Sequence, residues 1–411
     1  MGKRNGLKRP IIWIGCLVLL SSCGGGGGGG GSTDAPFNSG TGFGGGTAVT
    51  QLNAVSLATD GSGDVYAGGA ISDYNGIPVV SIARINRDGS LDFGFNSGSG
   101  FNGTVTAITP ATDGSGDVYV GGGFTEYNGA ARAYIARLNS NGTLDTAFDP
   151  GTGFNARVWA ITATTDGSGD IYIAGSFTSY NGTVIYRIAR INSDGSLDTG
   201  FATGTGFDKT VYAIALATDG SDDLYAGGLF TTYRTNLRSR IARINSDGSN
   251  DAGFDPGSGF DIGQVNAIAV ATDGSDDLYA GGSFTKYSVV DRKGIARINS
   301  DGSPDGGFDA GTGFTAGSVA AIALARDGSG RIYTVGNFSH YRRNARRGIA
   351  LINSDGSNDG GFNPGTGAGG ILDIALATDG SGNIFLVGPF TTYNNAPASR
   401  IIRVDLTGAA N

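Results

Sequence analysis

The lettering of this 411-residue chain restarts at Phe37, Phe95, Phe148, Phe201, Phe254, Phe308 and Phe362, at intervals of 58, 53, 53, 53, 54 and 54 residues. Self-similarity at a period of about fifty residues marks propellers, solenoids or arrays. The fourth copy is the clearest. Residues 211–218 alternate Ala with Ile or Leu, the period-two pattern of a strand. Asp219-Gly220-Ser221-Asp222 is turn chemistry, and residues 223–230 read as a second strand whose Gly227 and Gly228 would let a neighbouring sheet approach closely. A loop over 231–239 leads to a third strand, 240–245. Ser246-Asp247-Gly248 then forms a three-residue hairpin turn with a bulge, and 249–254 is a fourth strand.

Four antiparallel strands per unit, seven units and no helical segment predict an all-β fold, a seven-bladed β-propeller of four-stranded blades. Such a sheet has two apolar faces and buries them only against its neighbours, so closure of the ring completes the core. The seventh unit runs out after its third strand and a turn at 403–408. Ser32-Thr33-Asp34-Ala35-Pro36-Phe37 has the lettering of a fourth strand with nothing before it. The amino-terminal strand is therefore expected to close the last blade, pairing Arg403 with Asp34, and Pro36 suits an edge strand.

Lys3, Arg4, Lys8 and Arg9 precede an apolar run at 11–20, the layout of a signal peptide over residues 1–22. The run is half the roughly twenty residues of a membrane-spanning helix. It ends in Leu20-Ser21-Ser22-Cys23, which resembles the bacterial lipobox. That resemblance implies that Cys23 is lipidated and becomes the new amino terminus, anchored through several acyl chains. Cys16 lies in the excised run, so no thiol remains for a disulfide, metal or nucleophile. Gly24 to Gly31, with Cys23, form a tether over 23–31 whose glycine tract has a reach of about 16 Å. Gly24, where an aspartate would retain the protein at the inner membrane, favours the outer membrane by resemblance to diderm lipoproteins. Loss of the leader takes the formal charge from −8 to about −12, which argues against nucleic-acid binding. A monomeric propeller over 32–411 is the expected folded body.

In the hairpin register Asn245 faces Ser249 and Arg243 faces Asp251. The same pairing is spelled by Arg84 with Asp92, Arg137 with Asp145, Arg190 with Asp198 and Arg297 with Asp305, while the sixth unit sets Leu351 against Asp359. Each opposite-charge pair contributes roughly 0.2–1 kcal/mol. The spelling Ile-Ala-Arg-Ile-Asn-Ser-Asp-Gly-Ser-Leu-Asp at 188–198, with Ala-Gly-Gly-Leu-Phe at 226–230, resembles the delta-60 repeat of bacterial surface and secreted proteins. The resemblance covers residues 32–411 and implies a propeller; it implies no common ligand or reaction. The first hairpin, Asp166-Gly167-Ser168-Gly169-Asp170, is longer than that family's tight turn.

Catalysis lacks its parts: His340 is the only histidine, and no carboxylate pair stands apart from the repeat to act as a matched acid and base. No cofactor is expected. A calcium loop is the weak alternative for the hairpin acids Asp60 and Asp64, Asp113 and Asp117, and Asp166 and Asp170, whose carboxylates would supply part of a six- to eight-oxygen shell. Against it, the second acid of this turn becomes Arg331 and Asn383 in the last two units. Tyr74, Tyr127, Tyr180, Tyr233, Tyr287, Tyr341 and Tyr393 occupy one column. They would either plug each blade with the hydroxyl in water or form an aromatic ring that stacks sugars. The loops after these tyrosines differ. Units four to six carry Arg234, Arg238, Arg240, Arg292, Lys293, Arg342, Arg343, Arg346 and Arg347, nine basic residues against three in the other four units. These are either solvated charges balancing nearby acids or an anion-recognition face. The composite expectation is a non-enzymatic, lipid-anchored binding or scaffold module of the bacterial envelope, partnered by a protein or an envelope glycan, with a lectin-like propeller as the alternative and a glycan-cleaving propeller enzyme, for which the sequence offers no residues, as the third reading.

Overall fold

The computed structural model describes residues 36–44 and 51–411. The leader, Cys23, the glycine tether and the pairing of Arg403 with Asp34 lie outside these residues. Among the described residues the secondary structure is entirely strand, and no helix is long and apolar enough to cross a membrane.

Each of the seven units holds one three-stranded antiparallel sheet in the order first, second, third strand. In unit three these are Val158–Ala163, Ile171–Gly175 and Ile188–Ile191; in unit seven, Asp373–Leu376, Ile384–Val387 and Ile401–Val404. The expected fourth strand is corrected: it joins the third through a single bridge, Ile85 to Leu91 in unit one and Ile244 to Asn250 in unit four. The next residue ends the ladder. Asp92 Oδ1 accepts a hydrogen bond from Gly94 N–H at 2.7 Å, and Asp251 Oδ1 does the same for Gly253, so the side chain turns its own backbone away. A second correction concerns unit seven. Residues beyond 408 do supply a fourth segment, in which Ala410 bridges Val404 and Asn411 N–H donates to Arg403 O at 2.9 Å. The expected loop between second and third strands also contains a two-residue hairpin, such as Asp73–Tyr74 against Ile77–Pro78.

The core lies between sheets. Each buried cluster combines residues of two successive units, as where Tyr172 and Ile188 of unit three meet Val211 and Leu224 of unit four. Paired glycines bring the sheets close in units one, two, four and five, as where a Cβ on Gly227 of unit four would meet Val265 Cγ1 of unit five at 2.5 Å. A fully buried aliphatic side chain contributes roughly 1.5–3 kcal/mol, and most of that gain exists only when the next unit is in place.

Units seven and one meet in the same way. Ala375, Phe385 and Ile401 share a cluster with Leu52, Val65 and Ala83. Phe37 packs edge-on to Phe385 at 5.4 Å, in the manner of Phe148 against Tyr119. Arg400 donates to Phe43 O, as Arg187 does to Phe207 O and Arg240 to Phe260 O in successive units. Arg87 of unit one lies 3.4 Å from Asp379 of unit seven.

Asp373 stands on this seam. Its Oδ2 accepts from Val55 N–H and its Oδ1 from Ile374 N–H, both at 2.9 Å. Burial nevertheless pushes the carboxyl up to about 7. Above the ordinary carboxyl pKa of about 4 the unfolded chain has lost this proton, while the folded chain keeps it until about pH 7. The contribution to stability therefore falls as pH rises through that window. The difference in Tm between the wild type and Asp373→Asn should decline between about pH 4 and about pH 7; a difference that stays constant would remove Asp373 as the cause.

Candidate functional site

In units one to six the first strand carries a β-bulge at its second or third residue. Val158 pairs with Gly175 and Ala160 with Ala174, leaving Trp159 without a cross-strand partner. Asn53, Thr106, Tyr212, Asn266 and Ala320 are the equivalent extra residues. A bulge re-aims the side chain it carries. The glycine opposite makes room, because a Cβ on Gly175 would lie 2.3 Å from Arg157 O. All six bulged residues line one cavity of about 750 Å³, which continues into a second space of about 290 Å³ bordered by Asp373. Ala70, Asn337 and Pro389 also line it. They stand at the ends of second strands, so the cavity opens where the second-to-third-strand segments leave the sheets.

Amide and hydroxyl side chains such as Asn53, Thr106, Gln264 and Asn266 alternate along this wall with apolar groups such as Ala70, Ile371 and Leu372. Gln264 Nε2 donates to Asn266 Oδ1 at 2.6 Å, and Asn266 Nδ2 to Val319 O at 2.7 Å, which fixes both carboxamides across a unit boundary. Units three and four break this pattern with Arg157, Trp159 and Tyr212. The Trp159 and Tyr212 rings meet edge to face at 5.4 Å, and the Arg157 guanidinium lies 4.9 Å from the Trp159 ring centre. Trp159 Nε1–H donates to Ser176 Oγ at 3.0 Å, which locks the indole. Gly123 leaves space for the arginine, since a Cβ there would fall 2.7 Å from Nη2. Among the described residues no hydrogen bond or ion pair reaches this guanidinium, and it is the one charged group lining the 750 Å³ space. Such a wall suits binding of a polar ligand with an apolar face.

This cavity was missed in the sequence, although a signal was present. At one place in near-identical strands the residue changes from Asn or Thr to Trp159 and Tyr212 and then to Asn and Ala.

The structure places the hairpin acids around a different cation from the one considered. Arg84 meets Asp60, Asp64 at 2.8 Å and Asp92 at 3.1 Å; Arg137 meets Asp113, Asp117 at 2.9 Å and Asp145 at 3.2 Å. Arg190 likewise gathers Asp166 at 2.6 Å, Asp170 at 3.0 Å and Asp198 at 3.3 Å. The guanidinium fills the place that the calcium alternative assigned to a metal, and that alternative is withdrawn. Burial alone would raise the Asp166 carboxyl, yet hydrogen bonds from Ser168 and Arg190 hold it below the usual carboxylate range. The odd sixth unit is compensated. Arg331 stands where other units have the second acid, and it reaches Asp327 and, at 2.7 Å, Asp359, the acid that Leu351 cannot pair.

The tyrosines of the column do plug their units, but the water contact of that reading and the sugar-stacking alternative are both corrected. Tyr74, Tyr127, Tyr180, Tyr233, Tyr287, Tyr341 and Tyr393 are at most 1 % exposed, which leaves no ring face for a sugar. Each hydroxyl donates to a turn-glycine carbonyl rather than to water, as Tyr180 does to Gly195 O at 2.5 Å and Tyr393 to Gly408 O at 2.8 Å. Burial pushes these phenols up. His340 is exposed beside this column, in the short strand His340–Tyr341.

Of the nine basic loop residues, six spend their guanidinium on backbone carbonyls. Arg234 donates to Thr203 O at 3.2 Å, Arg240 to Phe260 O at 2.8 Å, Arg292 to Asp305 O at 3.1 Å and Arg342 to Asp309 O at 2.6 Å. Arg238 and Arg346 each donate to the preceding carbonyl at 2.9 Å. Lys293, Arg343 and Arg347 are exposed, and no ion pair or hydrogen bond holds their side chains among the described residues.

Residues 61–95, 114–148, 167–201, 220–254, 275–308 and 328–362 match the model of a family described as a beta-propeller domain of unknown function, DUF5122. None of the curated proteins matches the chain.

The sixth-unit exchange supplies its own test. Arg190→Leu should cost about 3–5 kcal/mol in chemical denaturation, because it strands three carboxylates that are mostly buried. Adding Asp170→Arg reproduces the arrangement of Arg331 and Leu351 and should restore roughly 1–3 kcal/mol. A double variant no more stable than the single one would show that the acids do not depend on the guanidinium.

Proposed function

Because the chain belongs to the DUF5122 beta-propeller family, we propose that it is a non-enzymatic binding module of the bacterial envelope, held by lipid on Cys23 and binding its ligand in the central cavity. A closed ring of seven blades is part of this reading. It is supported by the cluster shared between units seven and one, by the Phe37 to Phe385 contact and by Arg400 on Phe43 O. The likeness to delta-60 repeats and the leader ending at Cys23 support an outer-membrane lipoprotein, with the glycine tether spacing the propeller from the bilayer.

The observation that carries the binding site is the replacement of small or amide residues by Arg157, Trp159 and Tyr212 on adjacent bulges that face one cavity. Aromatic residues flanked by fixed amides are the ingredients of a lectin-like site, so the glycan alternative gains support while the tyrosine column loses it. A second reading keeps the rim: Lys293, Arg343 and Arg347 are the unpartnered part of the basic sector and suit an anionic partner.

Retention of an envelope polysaccharide fraction on the immobilised protein separates the two. Trp159→Ala with Tyr212→Ala should abolish retention, and Lys293→Glu with Arg343→Glu and Arg347→Glu should leave it unchanged. The reverse pattern assigns binding to the rim, and no retention by the wild type removes the glycan reading. For the anchor, Cys23→Ala should move the protein from the membrane pellet to the soluble fraction and abolish incorporation of labelled palmitate; a variant that still pellets and labels would overturn lipidation at that residue.

A further inference from the structure

We propose that the central cavity selects a saccharide bearing a carboxylate, with the Arg157 guanidinium taking the carboxylate and the Trp159–Tyr212 corner taking the sugar ring. The inference rests on the reading that this cavity is the binding site, and adds the chemical class of the ligand.

Three observations carry it. First, Arg157 is half-buried yet has no anionic or hydrogen-bonding partner among the described residues, whereas Arg84, Arg137, Arg190 and Arg243 each meet three or more carboxylates. The same chain thus satisfies its structural arginines and leaves this one open. A planar guanidinium in a partly desolvated site is matched by a planar carboxylate, which can accept two parallel hydrogen bonds. Second, the guanidinium lies over the indole at 4.9 Å, and Tyr212 presents its ring at 73° to Trp159. A carboxylate held by Arg157 therefore leaves the rest of its molecule beside two aromatic surfaces set nearly at right angles. A pyranose ring, apolar on its C–H face and polar around its rim, fits such a corner. Third, the remaining wall offers both donors and acceptors from Thr104, Asn53, Gln264 and Ser318, which is what hydroxyl groups need, and among the described residues the 750 Å³ space has no second cation to hold a phosphate. The volume falls within the roughly 300–1,000 Å³ of small-molecule sites, so one end of a chain enters rather than its length.

The test uses the lipid-anchored protein in detergent, in which, once residues 1–22 are removed, Trp159 is the only indole. Quenching of its fluorescence is titrated with trigalacturonate, an alginate trimer and a hyaluronan tetrasaccharide, each beside its methyl ester, which keeps the ring and removes the charge. At least one acid should bind ten-fold or more tightly than its ester. Arg157→Gln should bring acid and ester to equal affinity, and the parallel calorimetric signal should disappear in Trp159→Ala. Equal binding of acid and ester by the parent protein overturns the carboxylate assignment and leaves the cavity as a neutral-sugar site. Binding by calorimetry without quenching places the ligand elsewhere and overturns both. Absence of binding to every acid overturns the inference, and retention of the envelope polysaccharide then decides the cavity by itself.

Discussion

Apolar surface shared between successive sheets is what this molecule depends on. A three-stranded sheet of Ile, Val, Ala and Gly cannot cover itself, and every cluster of the core is divided between two units. In units one, two, four and five the contact is close because the second strand places glycine where the next unit sets its valine, as with Gly281 against Val319. The residue after this position is glycine in all seven units, and a Cβ on it would sit 2.0–2.4 Å from a carbonyl at or just before the start of its own first strand. Close approach at this point goes with the bulge of the first strand in six of them, and the bulge turns one side chain per unit into the cavity. Packing and the candidate site therefore share one local device.

Charge does the second share of the work. Each arginine of a third strand is nearly buried, which would be costly if it were alone. In units one to five two acids of the first hairpin and one acid of the fourth segment meet it, and in unit four Asp276 of the next unit joins them at 3.2 Å; Arg403 of unit seven meets Asp379. The same arginine lies over a buried tyrosine, 5.3 Å from Tyr225 in that unit. Acidic residues that look like a repeated cation site along the chain are thus internal counter-ions. Unit six shows the logic by exchange, with the guanidinium supplied from the turn and the carboxylate retained.

The proposed site differs from these structural charges in being incomplete. The loop arginines mostly donate to backbone carbonyls, and Arg234 and Arg342 are themselves left-handed, with φ of 54° and 46°. Arg157 closes nothing. Its position at the cavity wall, rather than its residue type, distinguishes it from the arginines that hold the fold.

Repetition, strand period, turn chemistry and the facing of Arg243 with Asp251 were legible in the residues, because each depends on neighbours a few places apart. The same local rules indicated that paired glycines admit a second sheet. Four matters were decided only by tertiary structure. The hydroxyls of the tyrosine column find glycine carbonyls fifteen residues away. The hairpin acids receive a guanidinium from a third strand. The last unit is joined by both Asn411 and Phe37, which are distant in sequence. Residues spaced by one repeat, Trp159 and Tyr212, become neighbours on one wall of a cavity. A linear pattern specifies which face a side chain takes on its own strand; which groups it meets from another unit depends on how the sheets are stacked, and that is set by the packing of whole faces rather than by any one stretch of chain.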